Sequence, residues 1–127
     1  EFRRVLFRSF VVFNGPDEQL VSGLAMGADG GIGGTYGVMP ELYLKIYELC
    51  QKGEYKAAGQ IQYAADAIIY AMCACHGNLY AVMKEILKIR EGLELGSVRK
   101  PMPGLIPEDM EQVRKCAAMI DAAIAKL

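Results

Sequence analysis

What the chain lacks narrows its functions before any motif is read. No apolar run reaches the ~18 uncharged residues that a membrane helix needs, because Asp66 interrupts the best candidate, residues 57–75. There is no surplus of positive charge. Fourteen Lys and Arg stand against 15 Asp and Glu, for a net charge of -1, and they are spread along the chain. That leaves no basic face to attract nucleic acid or anionic lipid, so neither nucleic acid nor membrane is expected as a partner. His76 is the single histidine, and there are four cysteines: Cys50, Cys73, Cys75 and Cys116. The segment Cys73-Ala74-Cys75-His76 has no second ligand pair at zinc-finger spacing, so no metal is expected. The cysteines fall in helix-like patterns and are read as buried, reduced thiols of a cytoplasmic protein without disulfides. With 53% hydrophobic and 23% charged residues, the composition suits a soluble protein with one core.

Residues 1–9, EFRRVLFRS, place Arg3, Arg4 and Arg8 among Phe and Val with no helical or strand period, and the pattern changes abruptly at Phe10. Arg8 splits the apolar stretch and no small-residue cleavage site precedes Asn14, which argues against a secretion signal. The string resembles the conceptual translation of a sequencing adapter and is expected to be an artefactual leader. Without Glu1, Arg3, Arg4 and Arg8, 11 basic and 14 acidic residues remain of the 14 and 15 in the whole chain.

From Phe10 onward the chain divides in two. Residues 10–13 are apolar and β-rich, and Asn14-Gly15-Pro16 stops them; they read as a strand buried on both faces. A helix should follow from Asp17 to Gly27, with Leu20, Val21, Leu24 and Ala25 inward. The glycine-rich residues 30–34 can be a strand only if tertiary context imposes it. Pro40 opens a further helix to Cys50 with Leu42, Ile46 and Leu49 as its core stripe. This βαβα order demands a parallel sheet covered by helices, and two strands cannot make one alone. Residues 10–52 therefore read as two βα units of a larger sheet. Residues 53–127 read as a three-helix extension over 54–75, 79–91 and 107–126, with 93–106 an irregular crossing loop. Alanines on its first and last helices (Ala57, Ala58, Ala64, Ala65, Ala117, Ala118, Ala122, Ala123) should permit close packing.

Two segments could carry chemistry. Gly15, Asp17 and Glu18 lie where a parallel strand passes to a helix, at the carboxyl end of the sheet, which is the working face of βα barrels. Adjacent carboxylates there can accept hydrogen bonds from a polyol, although N-capping by Asp17 is the plainer account. The second segment, Gly33-Gly34-Thr35-Tyr36, lets a ligand approach the backbone closely. A dinucleotide fingerprint is discarded, because the third glycine is missing and no helix begins at once. No nucleophile stands beside a base: Lys45, Lys52, Lys56 and Lys84 all fall on helices as solvated or packing residues. The long Ala-rich region leaves room for a different class of function, a non-catalytic helical interaction module.

The stretch FNGPDEQLVSGLAMGADGGIGGTYGVMPELY resembles the strand-seven to helix-eight part of the N-acetylneuraminate lyase and dihydrodipicolinate synthase family, where N-G-x-D-E precedes G-A-D-G-G-I-G-S-T-Y. The likeness runs on through the helical tail, including Arg99-Lys100-Pro101. It implies an α/β fold: the C-terminal part of a TIM (β/α)8 barrel, its last two βα units, followed by a helical extension. It also implies class I aldol chemistry, in which a lysine forms a Schiff base with pyruvate and no cofactor is needed. That lysine, the proton-shuttling tyrosine and the pyruvate-carboxylate motif would all lie upstream, so the chain alone is expected to be inactive. By matching motif, Gly15, Asp17 and Glu18 would bind the sugar-acid hydroxyls, Gly33 and Gly34 would line the site opposite, and Ile32 would face the pyruvyl centre. Gly34 stands where the lyases have Ser, and Pro16 where an aromatic is common. The implied activity is cleavage of N-acetylneuraminate to N-acetylmannosamine and pyruvate. A 2-keto-3-deoxy sugar-acid aldolase or a dihydrodipicolinate synthase is the alternative. A homotetramer is implied for the complete protein.

Overall fold

Phe13–Asn14 (β1) lies parallel to Gly30–Gly31 (β2), with Phe13 opposite Gly30 and Asn14 opposite Gly31. The computed structural model describes residues 10–127, so the expected leader lies outside the described residues. Hydrogen bonds extend the pairing by one residue at each end. The Asp29 N–H donates to Val12 O (2.7 Å) and the Ile32 N–H to Asn14 O (3.0 Å). A parallel pair at the first strand and the glycine-rich segment agrees with the sequence reading. The burial does not: Phe10, Val11 and Phe13 are exposed, as is Ile32. The sheet has two strands among the described residues, so these side chains lie on a layer far narrower than a closed barrel. Glycine at 31 is explained by crowding, since a Cβ there would overlap the Tyr36 hydroxyl and Leu20.

The helix expected from Asp17 is broken. Asp17–Gln19 form a 3-10 turn, and α1 covers only Leu20–Ala25. Asp17 makes no side-chain cap, because its carboxylate is taken up elsewhere. A second 3-10 turn, Thr35–Gly37, leads to α2 (Pro40–Gln51), which starts on proline and buries Leu42, Tyr43, Ile46, Leu49 and Cys50. The extension comprises α3 (Tyr55–Cys73), α4 (Leu79–Glu91), and α5 (Met110–Ile124) after a 3-10 turn at Pro107–Asp109.

α3 is the central helix, packed against α1, α2, α4 and α5. Ile46, Met72, Val82, Ile86, Val113 and Ile120 interlock with almost no exposure. At about 25 cal/mol per Å2 of apolar surface, full burial of such a side chain stabilises by about 1.5–3 kcal/mol. Ala58, Ala65 and Ala117 are buried and let the helices approach, whereas Ala57, Ala118 and Ala122 face outward. The cysteines divide similarly: all four are free, Cys50 and Cys116 are buried, Cys75 is half-buried, and Cys73 is exposed on the last turn of α3. Burial pushes the Cys116 thiol up to about 11. Among the described residues no helix is long and apolar enough to cross a membrane.

Candidate functional site

Both βα loops end on the same side of the sheet and meet in a cleft of about 300 Å3. Gly15, Pro16, Asp17 and Glu18 come from the loop after β1, and Gly33, Gly34 and Thr35 from the loop after β2. Five of the six site residues expected from sequence therefore share one cavity. Ile32 is not in its lining; it is exposed just after β2.

Asp17 holds the two loops together. Its Oδ2 accepts from the Thr35 N–H (2.8 Å) and from the Thr35 hydroxyl (2.5 Å). A carboxylate can only accept, so the Thr35 proton points to Asp17, and Tyr43 must donate its own hydroxyl to Thr35 Oγ1 at 2.7 Å. The result is a one-way chain from Tyr43 through Thr35 to Asp17. Hydrogen bonds to a charged group contribute about 1.5–3 kcal/mol each, against about 1 kcal/mol for an N-cap, which is why the side chain leaves the helix end. Burial drives the Tyr43 phenol well above its ordinary value, and the Asp17 charge adds to the rise. Tyr36 packs against Tyr43 with ring centroids 4.0 Å apart and the planes tilted by 60°. Its own phenol rises to about 12, through burial first and the Asp17 charge second. The Tyr36 hydroxyl, beside Asn14, makes no well-formed hydrogen bond among the described residues. Gly33 is glycine because a Cβ there would overlap the Asp17 carboxylate.

Glu18 is half-buried, and its carboxylate is close enough to Asp66 for its charge to matter. The Asp66 carboxyl is raised above its usual value by burial, opposed by a Gln62 hydrogen bond, with the Glu18 charge adding to the rise. Among the described residues no lysine or arginine lines the cleft. The site therefore presents acidic acceptors and backbone groups to a ligand, without an amine nucleophile of its own. Lys45 and Lys52 pair with Glu48, and Lys84 donates to Ser97 O, as expected of surface lysines.

Several contributors were not singled out from the sequence. Gln62 on α3 is buried; its Nε2 donates to Asp17 O (3.0 Å) and to Asp66 Oδ1 (2.9 Å), while its Oε1 accepts from the Val21 N–H (3.2 Å). It thus ties the extension to the backbone of the loop that carries the carboxylates. The available signal was a polar residue in register with Ala58, Ala65 and Ile69 on the inward face of α3. Ile69, Leu79, Tyr80 and Met83, from α3 and α4, close the remaining wall. His76 serves as a donor to Asp109 (3.0 Å) rather than as a ligand. Among the described residues no group of three or more His, Cys, Asp or Glu could hold a metal ion.

A parallel βα pair with its cleft at the carboxyl ends of the strands, backed by a helical extension, is part of a TIM barrel. The comparisons make this specific: residues 1–121 match the dihydrodipicolinate synthetase family, and the chain belongs to that family. It is 57% identical over 119 residues to an N-acetylneuraminate lyase of Mediterraneibacter gnavus, an alignment covering 94% of this chain and 38% of that protein. The wild-type sialic acid aldolase of Ruminococcus gnavus superposes with a TM-score of 0.95 at 56% identity, over 98% of this chain and 42% of that one. An N-acetylneuraminate lyase from Fusobacterium nucleatum, solved with pyruvate, gives 0.82 at 31% identity over 92% of this chain and 39% of that one. The chain thus spans about two fifths of the length of the relatives it matches.

Proposed function

We propose that the complete protein to which this chain belongs is a class I pyruvate aldolase that cleaves N-acetylneuraminate to N-acetylmannosamine and pyruvate, and that this chain furnishes the sugar side of its site. The observation that carries the reading is the Asp17-Glu18 pair at the carboxyl end of a parallel βα pair, in a cleft to which no described residue brings an amine, within a chain 57% identical to a lyase of that name. The amine comes from elsewhere in the protein. A related sialic acid aldolase has been solved as its catalytic lysine mutant, which supports a Schiff-base lysine. That lysine condenses with the C2 ketone and expels water. As the bond between C3 and C4 breaks, its electron pair passes into the iminium, and the C4 hydroxyl loses its proton to form the aldehyde. Protonation and hydrolysis of the enamine then release pyruvate.

In this chain, Glu18 and the free edge of Asp17 accept from the polyol hydroxyls, Gly15, Gly33 and Gly34 offer backbone at close range, and Ile32 faces the pyruvyl centre. None of these residues is a nucleophile, so the chain alone is inactive. No cofactor takes part. The complete protein works as a cytoplasmic homotetramer on small-molecule substrates. A second reading, aldol cleavage of a shorter 2-keto-3-deoxy sugar acid, is favoured by one feature: Gly34 supplies no side-chain hydroxyl to a long polyol. A 2-keto-3-deoxygluconate aldolase variant of Sulfolobus solfataricus shares the fold at a TM-score of 0.74 and 25% identity. The test is pyruvate release from N-acetylneuraminate by the complete protein, with borohydride trapping of pyruvate on lysine. Trapping with cleavage supports the lyase, trapping without it the shorter substrate, and no adduct overturns both.

A further inference from the structure

The wall of the cleft formed by α4 is fixed from a distance. Asp109, just before α5 and buried to 2% exposure, accepts from the backbone N–H groups of His76 (2.8 Å) and Gly77 (3.0 Å), from His76 Nδ1 (3.0 Å), and from the Ile106 N–H (3.2 Å). Beside this clamp the Asn78 N–H donates to Pro103 O (2.9 Å), and the Asn78 side chain caps α4 by accepting from the Tyr80 N–H (3.0 Å). Gly77 fits against the same loop so closely that a Cβ would lie 2.7 Å from Leu105 Cδ2 and 3.0 Å from Leu105 Cα. One turn further on, Tyr80 and Met83 line the cleft, so near to Gly34 that a Cβ there would meet Tyr80 Cε1 at 3.1 Å and Met83 Cε at 3.4 Å.

We propose that Asp109 is a positioning residue for the substrate cleft: by gripping the 76–78 turn it sets where α4 begins, and so where Tyr80 stands opposite Asp17 and Glu18 against the hydroxylated end of the substrate. This rests on the sugar-side reading given above. Tyr80 occupies the space over Gly34, and its phenol brings a hydroxyl to a wall where residue 34 has none. Asp109 does not line the cleft; it acts through Tyr80.

The experiment uses the complete protein and compares Asp109→Asn, which keeps the shape but sets an amide against N–H donors, with Tyr80→Ala and the double variant. Asp109→Asn should raise the KM for N-acetylneuraminate about three- to tenfold, leave kcat and the trapping of pyruvate within about twofold, and add nothing further in the Tyr80→Ala background, as coupled residues do. A general loss of stability would lower turnover with all substrates alike. Effects of Asp109→Asn and Tyr80→Ala that multiply independently, or an unchanged KM, overturn the proposal. If Asp109→Asn does not fold, Gly77→Ala displaces the same turn and must give the same KM signature. Should the unsubstituted protein cleave no sugar acid, the proposed function fails. The positioning role is then read from amide exchange over residues 76–83, which must quicken in Asp109→Asn; equal exchange overturns it.

Discussion

The two-stranded layer and the helical extension belong to one chain but meet water in opposite ways. In the layer Phe10 and Val11 are each 64% exposed and Ile32 66%, whereas Val82, Ile86, Val113 and Ile120 in the extension are all at 0%. The extension shares one closed core with α1 and α2, and the layer keeps large apolar side chains exposed among the described residues. Stability of the chain on its own should therefore reside in α2 to α5, while the residues proposed to meet substrate sit on the less stable part. Sites built on low-stability elements against a stable frame are common, because function draws on the elements that open most easily.

The strongest attempt to break this contrast is a pair of truncations. Ile120→Ala should cost about 2–5 kcal/mol, as buried Ile-to-Ala changes do, and Phe13→Ala no more than about 0.5 kcal/mol, as at an exposed site. Urea unfolding of the isolated chain followed by circular dichroism reads both. Similar costs at the two positions would mean that the layer carries as much of the stability as the extension. Amide exchange sharpens the same point: α3 and α5 should be protected near the global limit and residues 10–36 far less. Uniformly slow exchange across 10–36 would show a closed layer.

Next in size is the tie between the regions. Gln62→Leu removes three hydrogen bonds from a buried position, those to the Val21 N–H, the Asp17 carbonyl and Asp66 Oδ1, at a cost of about 1–3 kcal/mol for each buried group stranded. The expected result is a lower urea midpoint, together with faster exchange at Val21 and its neighbours in α1 than elsewhere. A lower midpoint without that local signature would make Gln62 an ordinary core residue.

The sequence carried the outline because its signals were periodic or chemically narrow. Leu42, Ile46 and Leu49 lie on the inward stripe of α2 as their spacing requires, and α4 spans Leu79–Glu91 as read. Asn14-Gly15-Pro16 and the glycines at 30, 31, 33 and 34 bring the two loops to one cleft. Long-range choices were not legible. Nothing local says that Asp17 will prefer Thr35, 18 residues away, to its own helix end, or that Gln62 will reach back 45 residues to the Asp17 carbonyl. Phe10, Val11 and Phe13 stand exposed for a related reason: an apolar run records what a strand is suited to within a larger sheet, not what covers it among the described residues. The alanine pattern overreached likewise, since small side chains permit close packing at Ala58 and Ala65 without requiring it at Ala57 or Ala122.

Acid tests the extension from within. Burial alone would raise the Asp109 carboxyl, but the N–H groups of His76, Ile106 and Gly77 and the His76 ring outweigh it and hold the group down to about 2. Its unfolded value is about 3.9. A depressed carboxylate contributes stability that is fully present above the unfolded value and is lost as pH falls through the folded one. The contribution should therefore be intact above about pH 5, decline from about pH 4, and be gone below about pH 2, with the 76–78 turn loosening before α3 and α5. Asp109→Asn should flatten this slope, which chemical denaturation at stepped pH can follow. An unchanged slope in the variant would assign the acid sensitivity to other carboxylates.

The smallest effect is expected where charges are most conspicuous. Glu48 accepts from Lys45 at 3.0 Å and from Lys52 more closely still, all on the outer face of α2 or just past its end. These hydrogen bonds hold the Glu48 carboxyl below its usual range. Yet all three side chains stay solvated, and each pair gives up side-chain freedom and counter-ion contact to form, so little net stability remains. Glu48→Gln should leave the urea midpoint of the chain where it was, at low and at high salt. A salt-dependent drop would show that α2 relies on its outer face. The contrast between a well-buried extension and an exposed layer would then have to include the helix that joins them.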